Sequence, residues 1–294
     1  MDPTLITPPP ERAPASAGPD SKSASRWPGG ARFVVCVTVH MDGPAVEAGR
    51  GQNHLGLHSR GRYAARRGVP RSLDILARHG IPATFFMCGY DAELYPALMR
   101  EVHGAGHEVA AHGYQHEGWD LGGDEPALLE KTHAILSDCV GEAPVGWCSP
   151  SGRKSRLTLP TLKRLGYRYD ASEKDEDLPY LATIDGRQAD DFVILPNNTV
   201  SLDDAPLYVQ GQATAAEALD NWIEELETIA TGDGYVHFTV HPRAGYGSGT
   251  PARSAAFEHF LVAAKAMPGV RFVTLRDLAD HCLAAPANWR NPRL

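Results

Sequence analysis

The chain has no run of about 18 apolar residues, the least a membrane-spanning helix needs, and no apolar segment follows Met1 as in an export signal. Membrane insertion and export are not expected, and a cytoplasmic protein is. Paired cysteines are also missing. The five that occur, Cys36, Cys88, Cys139, Cys148 and Cys282, are odd in number and never at C-x-x-C spacing. That excludes a disulfide framework and a cysteine zinc site as the organising device. Clustered positive charge is absent as well. With Lys and Arg scattered and a formal net charge of −8, neither a nucleic acid nor an anionic membrane is an expected partner. A neutral or small molecule remains as the substrate.

Residues 1–30 have little to bury: Pro8-Pro9-Pro10 and the stretch Ser21 to Ser25 read as a disordered tail rich in Pro, Ser and Ala. Residues 31–294 read as one catalytic domain, since no later composition shift or repeat divides them. Apolar, β-branched runs occur at Phe33 to Val39, Ala83 to Met87, Glu108 to Ala111, Val145 to Cys148, Tyr167 to Asp170, Phe192 to Leu195, Tyr235 to Val240 and Arg271 to Leu275. Between most of them lie segments of helical spacing: Arg71 to His79, Ala92 to Ala105, Glu125 to Cys139, Thr214 to Ile229 and Ala252 to Ala266. Thr214 with Glu217 reads as a capping box. Strands this continuously apolar are buried on both faces. The alternation predicts an α/β fold, a distorted (β/α) barrel of about seven or eight parallel strands.

In such a fold the carboxyl ends of the strands converge, so polar residues placed there meet in space. Asp42 follows the first run, and Gly43-Pro44 turns the chain at once. Its alternative role is a turn-capping carboxylate. His112 ends the third run, and His116 lies four residues on, a spacing that a helical turn brings to one side. One core and one surface histidine is the competing reading. Taken together, two imidazoles and a carboxylate form the facial ligand set of a catalytic metal, with positions left for water and substrate. Alternation along Tyr235 to Val240 puts His237, Thr239 and His241 on one face. His241, at the strand mouth, suits proton donation to a leaving nitrogen, whereas His237 reads as structural.

These elements, in this order, resemble the polysaccharide deacetylase (NodB homology, carbohydrate esterase 4-like) family. They are most similar to its cytoplasmic branch of cyclic imide hydrolases, the metal-free type of allantoinase and a peptidoglycan deacetylase homologue. The resemblance runs from Arg32 to His281 and includes His58 to Tyr63, Gly68-Val69-Pro70, His79 to Phe86, Gly106-His107-Glu108, Tyr169 to Ser172, Asp175 to Tyr180 and Ser201 to Pro206. It implies a NodB-like barrel with Asp42, His112 and His116 as ligands of one divalent ion. Zinc is foremost, with Mn2+, Co2+ and Ni2+ as the other candidates. It implies His241 as general acid, Asp170 as a supporting carboxylate of the catalytic set, and a homo-oligomer, dimer or tetramer. Two family positions differ. His40 stands where the family has its catalytic-base Asp, and Cys148 where an Arg orients that base. A neutral histidine base needs no guanidinium, so the two departures agree chemically. His40 is then the base, or a fourth ligand. Cys148, Ser149 and Asp204 are expected at the substrate. The implied activity is metal-dependent hydrolysis of a carbonyl C–N bond in a small cyclic amide, imide or ureide. N-deacetylation of an acetylated sugar is the alternative, and a non-catalytic metal- or ligand-binding homologue the second.

Overall fold

The computed structural model describes residues 25–291 apart from Trp119, Asn198, Thr199 and Asp233. Among the described residues nine strands form one sheet: β1 Phe33–His40, β2 Thr84–Met87, β3 Glu108–Ala111, β4 Gly146–Trp147, β5 Tyr169–Asp170, β6 Tyr180–Ile184, β7 Arg187–Ile194, β8 Tyr235–Val240 and β9 Val270–Phe272. Their order is β6-β7-β5-β4-β3-β2-β1-β8, with β9 also on β1. Every pairing is parallel except the β6–β7 hairpin. The expected α/β architecture holds as a curled, mostly parallel half-barrel; β6 and β8 are its two ends and do not pair.

All eight residues of β1 are buried, and alternation sorts them onto two faces. Val35, Val37 and Val39 pack in the larger apolar cluster with the surrounding helices, while Val34 and Cys36 join Phe86, Ala110 and Tyr169 in a second cluster. The even-numbered set therefore faces the inside of the curl, and parity carries His40 there at the strand's end. At the opposite end the buried Glu108 carboxylate accepts from Thr84 Oγ1 (2.7 Å), Tyr169 Oη (3.0 Å) and the Arg276 N–H (2.9 Å), tying β2, β3 and β5 to the last helix. Gly146 is required by this arrangement, since a Cβ there would lie 1.9 Å from the Tyr169 ring.

The expected helices form, with one break. Ala92 to Ala105 is two helices, Gly89–Leu94 and Pro96–Gly104, because the residue before a proline leaves helical backbone, and Tyr95 sits at φ −131°. The capping box is present: the Glu217 N–H donates to Thr214 Oγ1 (3.2 Å) and the Thr214 N–H to Glu217 Oε2 (2.8 Å).

Of the expected tail, residues 1–24 lie outside the described residues. Residues 25–30 correct its boundary, because Trp27 is 2% exposed, its ring centroid 5.5 Å from that of Trp289 and 6.3 Å from that of Tyr235. A buried indole of this size contributes heavily, so Trp27→Ala is expected to cost about 3–5 kcal/mol. Thermal unfolding checks it; an unchanged melting temperature would return residue 27 to the tail.

Candidate metal centre and active site

The carboxyl ends of β1, β3, β4 and β8 bring together most of the expected residues around one cavity of about 510 Å³, lined by His40, Asp42, His112, His116, Cys148 and His241 among others. A neighbouring cavity of about 400 Å³ shares only Gly152 with it and contains none of these groups, so the chemistry belongs to the larger.

Asp42 lies two residues past β1 in left-handed backbone (φ 44°), a conformation that non-glycine residues adopt at a cost of about 1–3 kcal/mol. Buried partners hold it on both sides. Arg243 donates from one guanidinium nitrogen to the carbonyls of Asp42 and Gly43 and from another to Glu47. Asp91 accepts the N–H groups of Gly43 and Ala45, both at 2.8 Å. Burial pushes the Asp91 carboxyl up to about 7 even against these two donors.

Asp42 Oδ1 lies 3.5 Å from His112 Nε2 and 3.4 Å from His116 Nε2. It is buried without a hydrogen-bond partner among the described residues. Ligands about 2.1 Å from a tetrahedral ion sit about 3.4 Å apart. The donor set therefore fits a divalent ion of zinc's size. His112 is oriented for it: Nδ1 donates to the Cys148 carbonyl at 2.7 Å, which leaves Nε2 as the lone-pair nitrogen. Burial opposes charge on both imidazoles. The neighbouring Asp42 carboxylate and the Cys148 carbonyl outweigh it at His112, raised to about 10, whereas His116, facing His112 and His241, falls to about 4. The cluster holds one proton at His112, which a bound cation would displace.

The expected helical turn between His112 and His116 is not there. Left-handed backbone at Gly113 (φ 69°) and His116 (φ 54°) folds the loop back, and the Glu117 carboxylate fastens it by accepting the Tyr114 and Gln115 N–H groups at 2.9 and 2.6 Å.

His241 Nδ1 donates to Asp204 Oδ1 at 2.6 Å, so Nε2 faces the cavity, 3.9 Å from Asp42 Oδ2. Burial works against the imidazolium, but the Asp204 carboxylate prevails and lifts His241 to about 9. Asp204 corrects the sequence expectation: it does not line the substrate cavity. It is fully buried, accepting also the N–H groups of His241 (2.9 Å) and Ser248 (2.7 Å). The wall position belongs to Asp203, because this segment runs parallel to β8 through a bridge between Asp203 and Thr239.

His40 lies between the other imidazoles, its ring centroid 4.8 Å from that of His112 and 5.2 Å from that of His241. Burial, then those two neighbours, hold it well below 6.5, so it is neutral near pH 7. Its Nε2 has no hydrogen-bond partner among the described residues, and His40, His112 and Cys148 have ligand atoms within 4.8 Å of one another. Cys148 lines the cavity beside Ser149, its Sγ donating to the Ala171 carbonyl at 3.4 Å. Asp170, expected as a supporting carboxylate, does not line the cavity but bonds Ser172, which does. It is fully buried behind the wall and accepts from Ser172 Oγ, Ser172 N–H and Lys154 Nζ at 2.5, 2.9 and 2.5 Å. His237 is structural as expected, its Nδ1 3.1 Å from the Pro196 carbonyl.

Asp91, Glu117, Arg243 and Tyr246 escaped the sequence reading. Tyr246 donates to Asp42 Oδ2 at 2.7 Å. Each follows a strand by a few residues, Asp91 in the helix Gly89–Leu94 and the others in polar loops, which was a usable signal for Arg243 and Glu117, adjoining His241-Pro242 and His116.

Residues 61–169 match the polysaccharide deacetylase family model. A curated peptidoglycan deacetylase from Helicobacter pylori is 28% identical over 268 residues, covering 80% of this chain and 88% of its own. Among solved structures, the PuuE allantoinase superposes with a TM-score of 0.77 over 96% of this chain and 99% of its own at 24% identity, a likeness of fold. A protein from Mycobacterium smegmatis described as a candidate polysaccharide deacetylase superposes with a TM-score of 0.79 at 30% identity, over 91% of this chain and 95% of that one. With sequence and fold agreeing over nearly its whole described length, this chain belongs to the polysaccharide deacetylase family.

Proposed function

We propose that this protein hydrolyses a carbonyl C–N bond with a divalent ion held by Asp42, His112 and His116. The carrying observation is the imidazole of His241, backed by Asp204 and facing that ligand set across one cavity. Family members are hydrolases of amide C–N bonds and generally use a divalent metal. When bound, the ion supplies Lewis-acid polarisation of the carbonyl and a water acidified toward neutrality. His40, neutral and buried, accepts the proton of the attacking water. His241 delivers its Nε2 proton to the departing nitrogen while Asp204 keeps Nδ1 protonated and the ring aimed.

For substrate, a small cyclic amide, imide or ureide is the reading the geometry favours. The cavity is of small-molecule size, and Arg50 together with Ala205, Pro206, Val209 and Gln210 walls it beyond the histidines. The fold agrees with the allantoinase at a TM-score of 0.77 and with the Mycobacterium smegmatis protein at 0.79, so fold likeness does not separate the two substrate readings. The names of the curated relatives favour the second reading, N-deacetylation of an acetylated sugar. Beside the Helicobacter pylori protein, a Bradyrhizobium chitooligosaccharide deacetylase is 36% identical over 103 residues, 33% of this chain and 46% of its own. The deciding measurement is kcat/KM on succinimide, hydantoin-like and dihydropyrimidine-like rings beside chitooligosaccharides. Acetate release with no ring opened would move the assignment to the deacetylase. Activity that appears only on metal loading separates either from a binding protein.

His40→Ala is expected to retain the ion and lose about 10²- to 10⁴-fold in kcat. Loss of the ion with it would make His40 a fourth ligand. Because burial depresses the imidazole, the limb on which activity rises with pH should lie below 6.5 in the wild type.

A further inference from the structure

The two oxygens of Asp42 have different surroundings. Oδ1 faces His112 and His116 and accepts no hydrogen bond, while Oδ2 accepts the Tyr246 hydroxyl at 2.7 Å. We infer that Tyr246 is a positioning residue of the metal centre: by holding Oδ2 it makes Asp42 a ligand through Oδ1 alone and leaves a coordination position for water and substrate. The inference rests on the metal centre proposed above.

A carboxylate can bind a cation through one oxygen or through both. With three protein ligands, a second carboxylate oxygen would fill a position that the chemistry needs. The backbone of Asp42 cannot adjust to prevent this, being clamped through Arg243 on the carbonyls of Asp42 and Gly43 and through Asp91 on the next amides. The remaining freedom is rotation about the carboxylate's own bond, which brings Oδ2 toward the ion. The phenol opposes that rotation, since an O–H donated to a carboxylate is among the stronger hydrogen bonds. Tyr246 is itself held in place. The Arg243 guanidinium lies 5.1 Å from its ring centroid, and the His241 ring packs against it edge-on at 5.6 Å. Arg243 therefore fixes both the turn that carries Asp42 and the ring that restrains its carboxylate.

Co2+ loaded into the full chain is the probe, because its visible absorption weakens as coordination number rises. Tyr246→Phe should bind Co2+, show weaker visible bands than the wild type, and lose about 10- to 100-fold in kcat with KM little changed. Tyr246→Leu, which also lacks the hydroxyl, should show the same bands and stands in if the first variant does not fold. Identical bands in wild type and Tyr246→Phe, with Co2+ bound to both, would overturn the inference and leave the metal centre standing. A wild type that takes up no Co2+ would sink the metal centre itself, and this inference with it.

Discussion

Replacing His112 by alanine is expected to strip the ion from the protein and take turnover to background. Three donors converge on one point here, with Asp42 Oδ1 lying 3.5 and 3.4 Å from the two imidazole nitrogens. None of the three has a substitute among the described residues at that point, apart from His40 through the grouping it forms with His112 and Cys148. Loss of a ligand exceeds loss of a group that merely orients one, which itself costs about 10- to 100-fold in affinity. Wild type should carry about one ion per chain and His112→Ala almost none. The fold should survive with a loss of about 1–3 kcal/mol, because the variant also leaves the Cys148 carbonyl without its donor. His116→Ala should behave alike at a smaller cost in stability, as that imidazole sits in a loop at the cavity wall. Elemental analysis finding undiminished metal in both variants would defeat the ligand assignment. A fully active metal-free wild type would defeat the need for any ion.

The parts of this site that could be read in the sequence are those fixed by strand periodicity. Alternation in Tyr235–Val240 and Phe33–His40 fixes the face of His241 and His40, because a strand repeats every two residues whatever surrounds it. What lay in loops was less legible. His112 and His116 meet through left-handed residues and a carboxylate staple at Glu117, not through a helical turn, and spacing alone does not distinguish the two routes. Asp203 and Asp204 are adjacent and chemically identical, and only the bridge to Thr239 decides that Asp204 turns inward. The β6–β7 hairpin was missed although its turn carries a signal: Asp185-Gly186 has positive φ at both residues (51° and 74°), as a tight two-residue hairpin requires. The exposed charged residues Arg187, Asp190 and Asp191, in the part of β7 that runs past its pairing with β5, disguised the strand, because periodicity detects buried faces better than exposed ones.

His241→Ala and Asp204→Asn should each lower kcat on an amide by about 10²- to 10⁴-fold, the usual worth of a positioned proton donor, and they should differ in pH dependence. In the wild type burial disfavours the imidazolium, but the Asp204 carboxylate lifts it to about 9, so the donor is protonated below that pH. Activity is then full on the acid side and falls as pH rises through about 9, or somewhat lower once a cation sits at Asp42 and offsets its charge. In Asp204→Asn the largest influence favouring the imidazolium is gone, only Asp42 and Asp203 remain to oppose burial, and the descending limb moves to lower pH. In His241→Ala that limb should vanish. An activated ester such as 4-nitrophenyl acetate separates this role from a structural one, because its leaving group departs as a stable anion and needs no proton. If His241 acts as the acid, His241→Ala keeps most of its esterase rate while amide turnover collapses. Equal losses on ester and amide, with no movement of the alkaline limb in Asp204→Asn, would remove His241 from proton transfer and leave it a wall of the cavity.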